Sequence, residues 1–149
     1  MFVSGAGGLI YFIVKRISFI ARRKETYKKR ILIVEDDEIV AQLIMEILEG
    51  QGLETEVTRD GIEGLERIKQ NEYDLIISNL QMPRMKGDQL YLEVQKLNQD
   101  LAKRIIFISG EITDFIMSTG NRFLAKPFSH QQLIEIVEDL LKTMEKPDP

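Results

Sequence analysis

The stretch Tyr73-Asp-Leu-Ile-Ile-Ser-Asn-Leu-Gln-Met-Pro-Arg-Met-Lys-Gly87 decides the fold of this chain. Its apolar run at residues 75–77 is typical of a strand that is buried on both faces of a parallel sheet. Asn79 follows at the carboxyl end of that strand, where open α/β sheets place their ligands. Pro83 and Gly87 then turn the chain before the next helix. The alternative interpretation is a core strand that runs into an ordinary loop.

Four other short segments also have the composition of strands, and apolar residues at helical spacing lie between them. The predicted strands are Ile31–Val34, Leu53–Thr58, Arg104–Ile108 and Arg122–Ala125. Strands that alternate with helices form a parallel sheet with right-handed crossovers. The sequence therefore predicts a doubly wound α/β domain with a five-stranded parallel sheet, in which the quoted stretch supplies the third strand.

The predicted helices are identified by the apolar residues that would face the sheet. These residues are Ile39, Leu43, Ile44, Ile47 and Leu48 in the first helix, Ile62, Leu65 and Ile68 in the second, Leu90, Val94 and Leu97 in the third, and Leu133, Ile136, Val137, Leu140 and Leu141 in the last. The first helix begins near Asp37 or Glu38, and Ser129 is the predicted N-cap of the last. Only ten residues separate Gly110 from Asn121, so the fourth helix is predicted to be short, with one apolar edge.

Composition excludes several kinds of chemistry. With 149 residues, of which 44% are hydrophobic and 30% charged, the chain has the size and content of one globular domain. It has no cysteine, which excludes disulfides, zinc–thiolate sites and thiol catalysis. His130 is the only histidine, which argues against a histidine metal cluster and against Ser-His-Asp catalysis.

The net charge of −4 hides a strong asymmetry along the chain. Residues 1–30 carry eight Lys or Arg and one Glu, a net charge of +7, which leaves 12 Lys or Arg against 23 Asp or Glu, a net charge of −11, on the remainder. A basic arm on an acidic body suggests that the arm meets an anionic partner. The acidic body is a poor candidate for nucleic-acid binding.

The basic arm begins with an uncharged apolar run, residues 1–14, which ends at Lys15 and Arg16. A transmembrane helix needs about 20 apolar residues, and two charges oppose its insertion. No basic region precedes the apolar run, as it would in a signal peptide. Four interpretations stay open: an interfacial membrane anchor, a marginal transmembrane anchor, a helix that packs on a partner protein, and an unstructured extension without function.

Several short motifs, in their order and spacing, resemble those of the receiver domain of two-component signalling, the CheY-like family. The matching motifs are Val34-Glu-Asp-Asp37, Ile77-Ser-Asn-Leu-Gln-Met-Pro83, Gly87, Phe107-Ile-Ser-Gly110 and Phe123-Leu-Ala-Lys-Pro-Phe128. The resemblance extends from about Arg30 to Met144. It divides the chain into an apolar and basic extension, residues 1–29, and a receiver-like domain, residues 30–145. It also implies a flavodoxin-like strand order, 2-1-3-4-5.

The resemblance also implies a role for each polar residue at the carboxyl ends of the predicted strands. Glu35 and Asp36 would be the acidic pair that binds Mg²⁺ together with residue 79 and the backbone carbonyl of Gln81. Ser109 would bond a phosphoryl oxygen, and Lys126 would pair with the acceptor carboxylate. Phe123 would be the switch aromatic. The Lys126–Pro127 bond is expected to be cis, as is usual in the family. The shortened fourth helix implies an altered output surface.

Asn79 is the large departure from the family pattern, because it lies where receivers have the aspartate that accepts the phosphoryl group. An amide oxygen is a poor nucleophile, whereas an ionised carboxylate can form an acyl phosphate. The loss of one carboxylate is expected to leave Mg²⁺ binding weak. Lys126 is expected to donate a hydrogen bond to the Asn79 amide oxygen instead.

These expectations combine into one predicted function. The chain is predicted to be a single-domain, cytoplasmic, non-enzymatic receiver-like protein of a phosphorelay, with a histidine kinase or phosphotransfer protein and a downstream protein as partners and no nucleic acid. No output segment is expected after the last helix. Three alternatives stay open: Asn79 is a variant of a phosphorylatable aspartate, Ser78 or Ser109 accepts the phosphoryl group, or residues 1–30 make the protein a scaffold at the inner face of the membrane.

Overall fold

The computed structural model describes residues 5–26 and 28–145. The side chains that it describes are those of residues 7–17 and 28–145. Residues 1–4 and 27 of the predicted extension, and the last four residues of the chain, lie outside the described residues.

Five parallel strands form one sheet in the order β2-β1-β3-β4-β5. The strands are β1 (Arg30–Val34), β2 (Glu54–Thr58), β3 (Leu75–Asn79), β4 (Ile105–Ser109) and β5 (Phe123–Ala125). The helices are α1 (Gly5–Thr26), α2 (Glu38–Gly50), α3 (Gly61–Gln70), α4 (Gly87–Leu97), α5 (Gln99–Ala102), α6 (Asp114–Thr119) and α7 (His130–Met144). The predicted fold class and strand order are confirmed.

The aliphatic strands form this sheet because both of its faces are covered by helices. On one face Leu32, Ile76 and Phe107 belong to a core cluster with residues of α3, α4 and α6. On the other face Ile33 and Ile77 belong to a second cluster with residues of α2 and α7. Successive residues of each strand point to opposite faces, so every central strand must be apolar along its whole length.

Polar caps fix where the helices begin. The Asp37 carboxylate accepts hydrogen bonds from the backbone N–H groups of Ile39 and Val40 at 2.9 and 3.2 Å, so α2 begins at Glu38. Ser129 and Gln132 form a reciprocal capping box at the start of α7, which confirms the predicted N-cap. The helix α5 was not predicted; its signal in the sequence is Asn98, whose side chain caps it.

Three residues predicted to face the core are instead exposed. The exposed fractions are 82% for Ile39, 38% for Ile62 and 53% for Leu97. Each lies in the first or last turn of its helix. Helical periodicity alone cannot identify these positions, because it does not show how far toward its ends a helix is covered by its neighbours. The predicted shortening of the fourth helix is confirmed, since α6 has six residues.

The helix α1 exposes large apolar side chains. Leu9, Ile10, Phe12 and Ile17 are each at least 60% exposed, and Lys15 lies over the ring of Tyr11 at 5.1 Å. Within the described residues, none of the helices has an apolar stretch long enough to span a bilayer.

The carboxylate of Asp60 gives the fold a measurable dependence on pH. Burial raises the pKa of Asp60. The N–H of Glu63 at 2.9 Å and the guanidinium of Arg84 at 2.8 Å lower the pKa by more than burial raises it, so the net shift is downward. A carboxyl whose pKa is lower in the folded state stabilises the protein above its unfolded pKa. That stability is lost as the pH falls through the folded pKa.

Asp60→Asn keeps an oxygen to cap α3 and removes the charge. We expect the difference in the free energy of unfolding between the wild type and this variant to be largest near neutral pH and to shrink between about pH 5 and 2. Asp60→Ala also removes the cap and should cost about 1 kcal/mol more at neutral pH. Urea unfolding at several pH values measures both effects. Parallel stability–pH curves for wild type and Asp60→Asn would contradict this account.

Candidate functional site

The carboxyl ends of the parallel strands bring polar residues from three parts of the chain to one edge of the sheet. Glu35 and Asp36 follow β1, Asn79 ends β3, and Lys126 follows β5. In the pairing of β1 with β3, Val34 lies opposite Ser78. The residues that follow them, Glu35 and Asn79, are therefore neighbours at this edge.

The side-chain amide of Asn79 is the centre of the site. Its Nδ2 lies 2.9 Å from Glu35 Oε1, 3.0 Å from Asp36 Oδ1 and 3.0 Å from the backbone oxygen of Gln81. Its Oδ1 accepts a hydrogen bond from the N–H of Gln81 at 3.4 Å. Asn79 is only 7% exposed, so the amide depends on these protein partners rather than on water.

Glu35 is the most deeply buried charge at the site, with 2% of the residue exposed. Its Oε1 also accepts a hydrogen bond from the N–H of Asp37 at 3.1 Å, and its Oε2 lies 3.1 Å from Lys126 Nζ. Burial raises the pKa of the Glu35 carboxyl, and these two donors only partly offset that effect. The expected hydrogen bond from Lys126 to the Asn79 amide oxygen is not what the structure has. Lys126 pairs with Glu35, because a carboxylate is the stronger acceptor for an ammonium group.

Ser109 lies at the same end of the sheet, but among the described residues its side chain has no hydrogen bond to Asn79 or Lys126. Ser109 ends β4 and is 4% exposed, and its Oγ accepts a hydrogen bond from the N–H of Glu111 at 3.3 Å. Its backbone oxygen accepts a hydrogen bond from the N–H of Lys126 at 2.8 Å. Phe123 begins β5 and is partly buried against the first core cluster. The Lys126–Pro127 bond is cis, as expected.

Sequence reasoning missed an aromatic group that connects the sheet to the short helix α6. The rings of Tyr91, Phe107 and Phe115 contact one another, with centroid distances of 5.6–5.9 Å. Such edge-to-face and tilted pairs stabilise a core beyond their buried area. The three residues come from α4, β4 and α6, so no periodicity within one element could have indicated the group.

The oxygens of the site suit a hard cation, but their arrangement does not fit one. Glu35, Asp36 and the carbonyl of Gln81 are the oxygen ligands that Mg²⁺ prefers. However, the Asn79 nitrogen is the atom within 3.0 Å of all three, and it presents hydrogens to them. Within the described residues, no group of three or more acidic or histidine side chains is placed to hold a metal ion.

The edge of a five-stranded parallel sheet with an acidic pair and a lysine defines a CheY-like signalling domain. The sequence matches the family model "Response regulator receiver domain" over residues 31–138. The chain therefore belongs to the response regulator receiver family, whose members are signalling domains of two-component systems.

Individual relatives and solved structures agree with this assignment. The chain is 32% identical over 120 residues to the transcriptional regulatory protein RprY of Bacteroides fragilis, with 77% of this chain and 50% of RprY covered. It is similar to a CheY-like receiver domain protein from Methanospirillum hungatei, with 28% identity, a TM-score of 0.74, and 80% and 98% of the two chains covered. The chain thus spans about half the length of a curated relative and nearly all of a solved receiver.

A third similarity bears on cofactors. The response regulator TrrA of Thermotoga maritima, solved in complex with Mg²⁺ and BeF, is 29% identical with a TM-score of 0.69, and the match covers 75% of this chain and 98% of TrrA. Receiver domains bind Mg²⁺, and TrrA is one example. Response regulators interact with histidine kinases and downstream effectors.

Gly87 is required for the loop that holds Asn79. A Cβ atom at this position would lie 2.6 Å from the Asn79 backbone oxygen and 2.9 Å from Leu80 Cα, both of which are backbone atoms that cannot move away cheaply. We expect Gly87→Ala to destabilise the protein by about 1–3 kcal/mol or more, as overpacking does. Gly50→Ala is the matched control, because nothing lies within 4 Å of its Cβ. Denaturant unfolding of both variants measures the difference; equal stabilities would contradict the close packing at Gly87.

Proposed function

We propose that this chain is a receiver-like signalling domain that does not accept a phosphoryl group at position 79 and acts through protein–protein contacts. The observation that carries the proposal is the Asn79 amide at the carboxyl end of β3, which is held by Glu35 and Asp36. By resemblance this is the acceptor position. A carboxamide has no anionic oxygen to attack phosphorus, so no acyl phosphate can form there.

The two serines near Asn79 are weak alternative acceptors. Ser78 is fully buried and donates a hydrogen bond from its hydroxyl to the Asn79 backbone oxygen at 3.1 Å. The Ser109 hydroxyl is 4% exposed. A serine nucleophile needs a base within hydrogen-bond reach, and neither hydroxyl has a hydrogen bond to a carboxylate or imidazole among the described residues.

The remaining parts of the proposal, which concern the metal, the switch residues, the partners and the domain bounds, are carried over from the receiver family. Mg²⁺ would bind weakly at most, through Glu35, Asp36, the Gln81 carbonyl and the side-chain oxygen of Asn79. Ser109 and Phe123 would keep the positions of the phosphate-responsive switch without a phosphoryl group to bias it. A histidine kinase or phosphotransfer protein and a downstream protein would be the partners. The receiver unit would comprise residues 30–145, and residues 1–29 would form a separate extension.

The first test is phosphoryl transfer. With acetyl phosphate and Mg²⁺, the wild type is expected to gain no phosphoryl mass, because the Asn79 amide is not nucleophilic. Asn79→Asp is expected to gain one, since the acidic pair and Lys126 are retained. Intact-mass spectrometry measures both.

Asn79→Ala is the matched control, because it also lacks a carboxylate and should stay unmodified. A phosphoryl mass on the wild type would overturn the proposal. A mass that survives in Asn79→Ala would assign the acceptor to another residue, and the variants Ser78→Ala and Ser109→Ala would identify it.

A second candidate function, contact with an anionic membrane surface, is favoured by the exposed apolar residues of α1. Leu9, Ile10, Phe12, Ile13 and Ile17 are 48–71% exposed. They lie on the segment that carries the net charge of +7. Apolar residues beside basic ones bind anionic bilayers through burial of the former and attraction of the latter.

The second test is sedimentation with vesicles of mixed neutral and anionic lipid. Binding should weaken between low and physiological salt but not vanish. Each basic residue near the surface contributes about 1 kcal/mol of electrostatic attraction, which salt screens, whereas salt does not screen the burial of the apolar side chains. Phe12→Ser with Ile13→Ser should reduce the salt-resistant part. Ile39→Ser is the matched control, since Ile39 is at least as exposed as Phe12 and Ile13 but lies on the acidic domain. No binding at any salt concentration would favour an arm that contacts its own acidic domain.

A further inference from the structure

The nitrogen of the Asn79 side chain lies at the point where a cation would be held. Three oxygens from three separate positions converge on it: Glu35 Oε1 at 2.9 Å, Asp36 Oδ1 at 3.0 Å and the Gln81 carbonyl at 3.0 Å. A carboxamide nitrogen is a donor of two hydrogens, and it carries partial positive charge toward these acceptors. It therefore supplies, from within the chain, part of the attraction that a bound cation would provide.

The orientation of the amide is determined by its surroundings. With Nδ2 toward the acidic pair, Oδ1 faces the N–H of Gln81 at 3.4 Å, and both ends of the group have partners. The reversed orientation would place Oδ1 against two carboxylate oxygens and a carbonyl, with no hydrogen between them. The amide oxygen would then face three acceptors and the amide nitrogen would face the N–H of Gln81, which is costly at a position that is 7% exposed.

The buried charge of the pocket, that of Glu35, is paired from within the chain. Lys126 Nζ lies 3.1 Å from Glu35 Oε2, so the carboxylate that is hidden from water has an ammonium partner on one oxygen and the amide on the other. Asp36 is exposed, so water can solvate its carboxylate. The acidic pair therefore has donors for its inward-facing oxygens without any added ion.

We infer that the Asn79 carboxamide is an internal competitor of the divalent cation. The site is complete without metal, and a cation can enter only if the side chain of Asn79 turns its nitrogen away and gives up the contacts of its two hydrogens with the three oxygens. The inference deepens the proposed function, on which it rests for the assignment of the site. It assigns the weakness of Mg²⁺ binding to competition as well as to the missing carboxylate.

The variant Asn79→Ala separates these two causes. If the missing carboxylate alone weakens binding, Asn79→Ala should bind Mg²⁺ less tightly than the wild type, because a further oxygen ligand has been removed. If the amide competes, Asn79→Ala should bind Mg²⁺ more tightly, by about threefold to tenfold, because the hydrogen bonds of the amide N–H groups, each of modest net strength, no longer have to be broken. Asn79→Asp should bind more tightly than either, since it adds a third carboxylate.

The experiment is a calorimetric Mg²⁺ titration of the full chain, as wild type, Asn79→Ala and Asn79→Asp, after treatment with a chelator. Asp36→Ala, which should lose most of the binding, identifies the site. Tighter binding by Asn79→Ala than by the wild type supports the inference. Equal or weaker binding by Asn79→Ala overturns it.

Thermal unfolding keeps the inference testable if Asn79→Ala folds poorly. In chelator both substitutions should lower Tm, and millimolar Mg²⁺ should raise the Tm of Asn79→Ala and Asn79→Asp more than that of the wild type. An equal rise in all three proteins overturns the inference. The readout is independent of phosphoryl transfer, so a wild type that accepts phosphate would overturn the proposed function and leave this result unchanged.

Discussion

The interaction on which the site depends is the contact between the Asn79 amide and the acidic pair after β1. It exists because β1 and β3 are neighbours in a parallel sheet, in a register that places Val34 opposite Ser78. These strands are apolar except at their ends and are buried on both faces, so a shift of register would expose aliphatic side chains and bury polar ones. The packing of the core thus fixes the position of Asn79 relative to Glu35 to within a hydrogen-bond length.

Much of the fold could be predicted because its signals are local. Four of the five strands contain an aliphatic run, the helices have apolar residues at helical spacing, and turn residues separate them. The sequence signal is weaker where burial depends on the ends of other elements. Ile39 has the spacing of a core residue and is nevertheless 82% exposed. Periodicity does not show how far toward its ends a helix is covered by its neighbours.

The candidate site shows the same division between local and non-local information. The order of strand ends was enough to predict that Glu35, Asp36, Asn79 and Lys126 lie at one edge, and the resemblance supplied their expected roles. The direction of the Asn79 amide and the partner of Lys126 could not be predicted. Both are decided by competition among acceptors from distant parts of the chain, and the most buried carboxylate, Glu35, receives a donor on each oxygen.

A single atom therefore changes the electrostatic character of this edge of the sheet. With an aspartate at position 79, three carboxylates would converge, and their mutual repulsion would have to be relieved by a cation or by protonation. With asparagine, one repelling oxygen is replaced by a donor, and the remaining oxygens are drawn toward it. Under the proposed function, this edge of the sheet carries one negative charge fewer than it would with aspartate, and no phosphoryl group biases the fold toward a second state.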